Sequence, residues 1–223
     1  MAFNPAFLFG PGPFEKKPLP SFYFVTVPDK AWPADKRSEY IPPRQVLLFI
    51  SAHEVWPGHF LQGLHTNRNK SRILQSFCSY AYSEGWALYV EEMMWDAGLG
   101  NGDPRAHIGQ LLSALMRSAR YLAAIGLHTG GMSVDQATAL FRDKAFLDET
   151  NARQQAVRGT FDPFYLNYTL GKLMIMKLRA DWKAKQGDRY SLKRFHDELL
   201  GLGCAPLPVL RRAMLGDDAG PTL

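Results

Sequence analysis

The chain has 223 residues, 46% of them hydrophobic, and a formal net charge of +5. This length and composition are typical of one large globular domain with a hydrophobic core. No run of about 18 uninterrupted apolar residues occurs, which excludes a membrane-spanning helix and predicts no membrane partner. Lys and Arg are spread along the chain without interleaved aromatic residues, so we interpret them as solvated helix faces and predict no nucleic-acid partner.

Residues 1–42 form a proline-rich arm that holds more than half of the 15 prolines. Such a segment cannot stay helical for long. One aromatic and β-branched run, Phe22 to Val27, lies between Pro20 and Pro28 and predicts a strand. The apolar opening residues lack a basic segment and make a poor signal peptide. If this N-terminus is complete, we expect a cytoplasmic protein.

Residues 43–215 have a helical pattern, and we predict an all-α domain over this range with a flexible tail at 216–223. The helix boundaries follow from prolines and capping residues at the starts and glycines at the ends. Seven helices are predicted: from Pro43, Arg72 to Ala97, Pro104 to His128, Ser133 to Arg158, Pro163 to Lys185, Leu192 to Leu200, and Leu207 to Leu215.

Two cysteines, Cys78 and Cys204, lie far apart in the sequence. Neither shows the spacing of a metal-binding cysteine pair. We therefore predict two buried free thiols.

The segment His53-Glu54-Val55-Trp56-Pro57-Gly58-His59 is the clearest candidate for chemistry. Zinc peptidases place two histidines four residues apart on a helix, with a glutamate between them that acts as general base. Here the histidines are six residues apart, which puts their rings about 120° apart on an ideal helix. Since Pro57 lacks an N–H and Gly58 is conformationally free, we predict a bulge or kink that turns both rings to one ion.

A zinc site of this kind needs a third protein ligand. Glu84 lies 25 residues after His59 in the next predicted helix, and we predict that it is that ligand. Its neighbour Gly85 would let this helix closely approach the helix that carries His53, here called the metal helix. Glu91, seven residues on, lies on nearly the same face and could orient a ligating histidine.

The aromatic segment that starts at Phe161 offers further candidates. A peptidase needs a donor for the oxyanion of its tetrahedral intermediate, and either Tyr168 or Tyr165 could supply it, although aromatic residues at a helix start are usually core. The planar guanidinium of Arg158 could bind a substrate carboxylate. We interpret His65 as a polar residue outside the ligand set, and His107, His128 and His196 as structural.

These motifs resemble a bacterial domain family of formerly unknown function, marked by H-E-x-x-P-G-H and, one helix later, E-G-W-A-x-Y-x-E. That family in turn looks like the helical zincins, which include carboxypeptidase Taq, neurolysin and angiotensin-converting enzyme. The segment Tyr168 to Gly171 is also similar to a segment of carboxypeptidase Taq. The matching residues are His53, Glu54, Pro57, Gly58, His59, Glu84, Gly85, Trp86, Ala87, Tyr89 and Glu91.

The resemblance implies a zincin-like helical core with zinc bound by His53, His59 and Glu84, and with Glu54 as the base. The hypothesis is a zinc-dependent peptidase that hydrolyses peptide bonds with a metal-activated water, either carboxypeptidase-like or oligopeptidase-like. Tyr168 would stabilise the oxyanion, while Arg158 and Tyr165 would bind substrate. The alternative is a catalytically inactive helical binding domain that keeps the same fold. Full-length members carry a long helical region before the metal motif, so we expect this chain either to self-associate or to lack that region.

Overall fold

The computed structural model describes residues 6–17, 19–34, 37, 41–217 and 219–223. Over this part of the chain the protein is a helical body with a short two-stranded arm in front of it, which confirms the predicted all-α fold with a strand-like arm. The other residues of the predicted arm, at 1–5, 18, 35–36 and 38–40, lie outside the described part.

The arm is an antiparallel hairpin of β1 (Ala6–Phe9) and β2 (Phe22–Val25), with Ala6 opposite Val25. Strand β2 lies inside the predicted strand, but β1 was not predicted. The residues of β1 are too few to show a periodic pattern of their own, and pairing with β2 is what makes them a strand. The Phe7 and Phe24 rings stack at 5.0 Å between centroids, which stabilises the hairpin.

Ten α-helices and two short 3₁₀ segments follow in the described residues. The 3₁₀ segments are Pro163–Leu166 and Gly187–Arg189. The helices are α1 (Arg44–Glu54), α2 (His59–Asn67), α3 (Arg72–Ser76), α4 (Tyr80–Asp96), α5 (Pro104–Thr129), α6 (Val134–Ala145), α7 (Glu149–Phe161), α8 (Asn167–Gln186), α9 (Leu192–Gly201) and α10 (Leu207–Leu215).

Helix starts were predicted well where a local capping signal exists. Asp103 accepts a hydrogen bond from the N–H of Arg105 at the start of α5. At the start of α6, Ser133 and Gln136 form the predicted reciprocal capping box. The side chains that make these bonds are only two or three residues apart, so they form whatever the rest of the chain does.

Two predicted helices are each divided in the structure. The predicted helix from Arg72 to Ala97 is α3 and α4, because the chain is extended at Phe77 and Ser79, and Ser79 caps α4. The predicted helix from Ser133 to Arg158 is α6 and α7, because Phe146 adopts a left-handed conformation at φ 57° and ends α6. A phenylalanine in that conformation is uncommon, so the sequence contained no signal for this break.

Helices α4 and α8 pack against each other at two glycines. A methyl group on Gly85 would lie 2.4 Å from the carbonyl carbon of Gly171, and one on Gly171 would lie 1.8 Å from the carbonyl oxygen of Ala81. The prediction that Gly85 faces the metal helix is therefore wrong: it faces α8. The close crossing positions α4 and the carboxylates it carries.

The prediction of two free thiols is also wrong. Cys78 and Cys204 form a disulfide with their Cα atoms 4.7 Å apart. The turn before α4 and the turn after α9 lie side by side, and the N–H of Ser79 donates to the carbonyl of Cys204 (2.9 Å). This meeting joins residues 126 positions apart, and spacing along the chain cannot reveal it.

Helix α5 keeps an apolar stripe exposed. At 3.6 residues per turn, five large apolar residues fall within an arc of about 100° on this helix: Ile108, Leu111, Leu115, Leu122 and Ile125, all exposed. Within the described residues, no helix is both long and apolar enough to cross a membrane. The exposed stripe on α5 is a surface available for association.

Candidate metal centre

The break between α1 and α2 brings two histidines to one point. Helix α1 ends at Glu54 and α2 begins at His59, so the helix is interrupted between them, as predicted. The N–H of Gly58 donates to the carbonyl of Ala52 (2.9 Å), and a side chain on Gly58 would lie 1.7 Å from the carbonyl oxygen of His53. Only glycine fits this turn, which sets the two imidazole rings 4.8 Å apart at 89°.

Glu84 of α4 lies against both rings. Its Oε2 atom is 3.5 Å from Nε2 of His53 and 3.4 Å from Nε2 of His59. Ligands of a tetrahedral zinc ion bound at about 2.1 Å are themselves separated by about 3.4 Å. The same oxygen is buried and has no hydrogen-bond partner among the described residues. Both of these separations therefore match those between two ligands of one zinc ion.

The Glu84 carboxylate is also in the right charge state for a ligand. Burial raises its pKa, but the imidazoles of His53 and His59 outweigh burial and hold the pKa well below its ordinary value. An ionised carboxylate is the form that binds metal.

Glu54 has a different position from Glu84. A carboxylate oxygen of Glu54 and one nitrogen from each of His53 and His59 all lie within 4.8 Å of one another. Glu54 lines the two cavities that open beside the histidines, of about 370 and 300 Å³. It makes no hydrogen bond or ion pair with any other described residue. A carboxylate that has no partner among the described residues and lies beside the candidate ligands is suited to moving protons.

Glu91 holds the first histidine from behind. It is fully buried and accepts a hydrogen bond from Nδ1 of His53 (2.8 Å), and Arg117 of α5 lies 3.2 Å from the same carboxylate oxygen. A carboxylate can only accept, so Nδ1 carries a proton, and Nε2, which faces Glu84, is the ring nitrogen left to bind a metal. This is the orienting geometry predicted for Glu91, whereas Arg117 was not predicted.

Burial and charge act in opposite directions on these groups. Burial raises the pKa of Glu91, but Arg117 and His53 outweigh it and the pKa is lowered. Burial and Arg117 lower the pKa of His53, but Glu84 and Glu91 outweigh them and the pKa is raised. His53, Glu91 and Arg117 contact one another at 2.8–3.5 Å, so these buried groups form one electrostatic unit.

Tyr168 lies beside the histidines. Its ring is stacked with that of His53 at 6.3 Å between centroids, and it lines the smaller cavity together with His53 and Glu54. The guanidinium carbons of Arg117 and Arg120 lie 5.5 and 5.2 Å from the Tyr168 ring centroid. Of the two tyrosines predicted as oxyanion donors, Tyr168 is therefore the one that lies beside the histidines.

The other two predicted substrate residues lie elsewhere. Arg158 is paired with Asp162 at 2.8 Å. Tyr165 is fully buried, and its hydroxyl occupies the space that a side chain on Gly159 would need. Neither lines the two cavities.

Three of the remaining histidines make local contacts away from the site. His107 stacks on Trp95, with ring centroids 4.2 Å apart. His128 lies 2.8 Å from the carbonyl oxygen of Gly159, and His196 lies 2.9 Å from the hydroxyl of Tyr89. Burial is the largest cause of the lowered pKa of His196, about 4. These contacts agree with the structural roles predicted for them.

Sequence reasoning missed two arginines and one strand. Arg117 and Arg120 are buried one turn apart on α5, and β1 contributes Ala6 and Leu8 to the cavity walls. Two arginines on the alanine-rich face of a helix were a readable signal, because such a face is normally buried and a charge there needs a partner. No comparable signal exists for β1.

Two solved structures are similar to this chain. One, from Shewanella oneidensis, is described as a "putative lipoprotein of unknown function"; it is 29% identical over 94% of this chain, with a TM-score of 0.83. The other, described as a "putative lipoprotein" from Colwellia psychrerythraea, is 27% identical over 95% of this chain, also with a TM-score of 0.83. The chain spans only 38% and 35% of their lengths.

No curated protein matches the chain. The family model described as "Bacterial protein of unknown function (DUF885)" matches residues 2–214. That match covers nearly the whole chain, and it includes every residue of the candidate metal centre. The chain belongs to this bacterial family of unknown function, DUF885.

Proposed function

We propose that the protein is a zinc-dependent peptidase, with His53, His59 and Glu84 as the metal ligands. The observation that carries this proposal is one carboxylate oxygen of Glu84 that lies 3.5 Å from Nε2 of His53 and 3.4 Å from Nε2 of His59. That oxygen is buried and has no hydrogen-bond partner among the described residues. Two imidazoles and one carboxylate are a donor set that zinc enzymes use, with a fourth position left open.

Bound zinc would supply Lewis-acid polarisation of the scissile carbonyl and would acidify the attacking water. Glu54 acts as the general base: it accepts a proton from the water and passes it to the leaving amine. This role is supported by the position of the Glu54 carboxylate, which has no partner among the described residues, lies close to both histidines and lines both cavities. A positioned carboxylate can serve first as base and then as acid within one reaction cycle.

Three groups assist without changing covalently. The Tyr168 hydroxyl donates a hydrogen bond to the oxyanion that forms as water adds to the carbonyl carbon. Glu91 keeps the proton of His53 on Nδ1, and Arg117 neutralises the buried charge of Glu91. His53 thus keeps one orientation and one tautomer throughout the reaction.

The hairpin supports a peptide as the substrate. The Tyr23 hydroxyl lies 2.9 Å from the Ser51 hydroxyl of α1, so the arm lies beside the metal helix rather than behind the body. Strand β1 pairs only with β2 among the described residues, and its Ala6 and Leu8 line the cavities with Glu54. An extended peptide can add to an unpaired strand edge through main-chain hydrogen bonds.

The experiment compares the zinc content and the peptide cleavage of the wild type and Glu54→Gln. We expect about one zinc per chain in both proteins, and a loss of cleavage rate of about 100- to 10,000-fold in the variant, because the general base is removed. Glu92→Gln, the partly exposed neighbour of Glu91 on α4, is the control and should keep both properties.

Two results would count against this proposal. Unchanged cleavage in Glu54→Gln would remove Glu54 from the mechanism. Retained zinc with no cleavage of any peptide by the wild type would instead favour the inactive binding domain.

A further inference from the structure

Arg120 of α5 is a buried cation that has no acidic partner among the described residues. It is 7% exposed, and its Nε donates to Oε1 of Gln155 (2.9 Å). No ion pair joins it to any carboxylate of the described residues, whereas Arg117 is paired with Glu91 and Arg158 with Asp162. A buried charge is costly unless something compensates it.

The charge of Arg120 persists at neutral pH. Burial, joined by the neighbouring guanidinium groups of Arg117 and Arg158, lowers the pKa of Arg120 to about 10. The side chain is therefore a cation, and neither of its two terminal amino groups makes a hydrogen bond to a described residue. A ligand that brings a negative charge can supply the missing partner.

The cavity of about 300 Å³ connects this cation to the candidate metal centre. Arg120, His53, Glu54 and Tyr168 all line it. The Tyr168 ring is close to both groups: its centroid lies 5.2 Å from the Arg120 guanidinium carbon and 6.3 Å from the His53 ring centroid. An extended chain advances about 3.5 Å per residue, so the distance from Arg120 to His53 corresponds to one or two residues of a peptide.

The other walls of this cavity are mainly apolar. The side chains come from α1, from α5 and from the turn after α6: Val46, Ile50, Leu112, Met116, Phe146 and Leu147. A ligand that carries an apolar side chain and a carboxylate on the same residue matches both the walls and the cation. The C-terminal residue of a peptide has this chemistry.

We propose that Arg120 binds the C-terminal carboxylate of the substrate, with the apolar side chain of the last residue in this cavity. This inference rests on the proposed peptidase function and makes it a peptidase that acts at the carboxyl end. One water is consumed as its oxygen bonds to the carbonyl carbon one or two residues from the end. The C–N bond breaks, the leaving amine gains a proton, and the products are a shortened peptide and a free amino acid or dipeptide.

Binding tests this assignment without metal and without turnover. Chelator-treated wild-type chain, freed of chelator, is titrated with N-acetyl-phenylalanine and with its amide. We expect the acid to bind about 10- to 100-fold more tightly, because a hydrogen bond to a charged partner is lost in the amide. In Arg120→Gln the two affinities should become equal, while in Arg105→Gln, an exposed arginine of the same helix, they should stay apart. Equal binding of acid and amide by the wild type would overturn the proposal.

The folding of Arg120→Gln provides a second readout. Because the substitution removes a buried charge that has no carboxylate partner among the described residues, the variant should be at least as stable to urea as the wild type. A marked loss of stability would make Arg120 a structural residue and would overturn its assignment to a ligand. Arg120→Lys keeps the charge without the planar fork and should retain part of the preference for the acid.

Cleavage separates this inference from the proposed function. The zinc-loaded wild type is given three acylated peptides: one with a free C-terminal phenylalanine, its amide, and an amidated peptide with an internal glutamate. We expect cleavage of the first alone. Equal cleavage of the first two would overturn the carboxylate site and leave the peptidase intact. Cleavage of the peptide with the internal glutamate in preference to the other two would overturn the C-terminal assignment. Selective binding of N-acetyl-phenylalanine over its amide, with no cleavage of any peptide, would overturn the peptidase function.

Discussion

The buried pair of Glu91 and Arg117 allows a quantitative test of how the candidate centre is held together. Glu91 is fully buried, accepts from His53 at 2.8 Å and lies 3.2 Å from Arg117. Glu91→Gln keeps the shape and removes the charge, so a guanidinium that is only 6% exposed loses its counterion. Removing one partner of a buried ion pair costs about 3–5 kcal/mol. We expect that loss in the free energy of unfolding.

Urea unfolding of the chelator-treated chain at pH 7 measures this loss. The control is Glu92→Gln, the next residue, whose 40% exposed carboxylate pairs with the partly buried Lys172. That substitution should cost less than Glu91→Gln, since solvent reaches the Glu92 carboxylate and screens its charge. Equal losses in the two variants would refute the assignment of Glu91 to a buried electrostatic unit.

The pH dependence of the same measurement has a definite sign. Because Arg117 and His53 lower the pKa of Glu91 in the folded state, its contribution is fully present above the unfolded-state pKa of about 4.5 and is lost as the pH falls through the lowered folded-state value. The difference between the wild type and Glu91→Gln should therefore shrink on acidification. A difference that grows below pH 4.5 would contradict the reasoning.

Three further predictions concern the ligands, the helix crossing and the exposed face. His53→Ala and Glu84→Ala should each lose the bound zinc by elemental analysis, and full occupancy in either would remove that residue from the ligand set. Gly171→Ala should destabilise the chain by about 1–3 kcal/mol or more in urea, because its methyl group would lie 1.8 Å from the carbonyl oxygen of Ala81; an unchanged midpoint would contradict the close crossing of α4 and α8. The apolar stripe on α5 should cause concentration-dependent association in sedimentation, which Leu115→Glu should weaken; a monomer at all concentrations would contradict a role for this face.

Much of the local architecture follows from the sequence. The ends of α5, α9 and α10 lie within a residue or so of their predicted positions, since caps, prolines and glycines act over a few residues. The interruption of the metal helix follows in the same way from Pro57 and Gly58. The close approach of the His53 and His59 rings follows from the same two residues, because proline and glycine determine the local backbone.

Tertiary structure decided which distant groups meet. The disulfide of Cys78 with Cys204, the close packing of Gly85 on Gly171 and the strand β1 all depend on partners far away in the chain, and no local pattern encodes them. The two candidate arginines illustrate the same limit. Arg158 and Arg120 are equally suited by chemistry to bind a carboxylate, but the fold pairs Arg158 with Asp162 and leaves Arg120 beside a cavity with no carboxylate partner among the described residues. Residue type determines which interactions a side chain can make, whereas packing determines which of them remain available to a ligand.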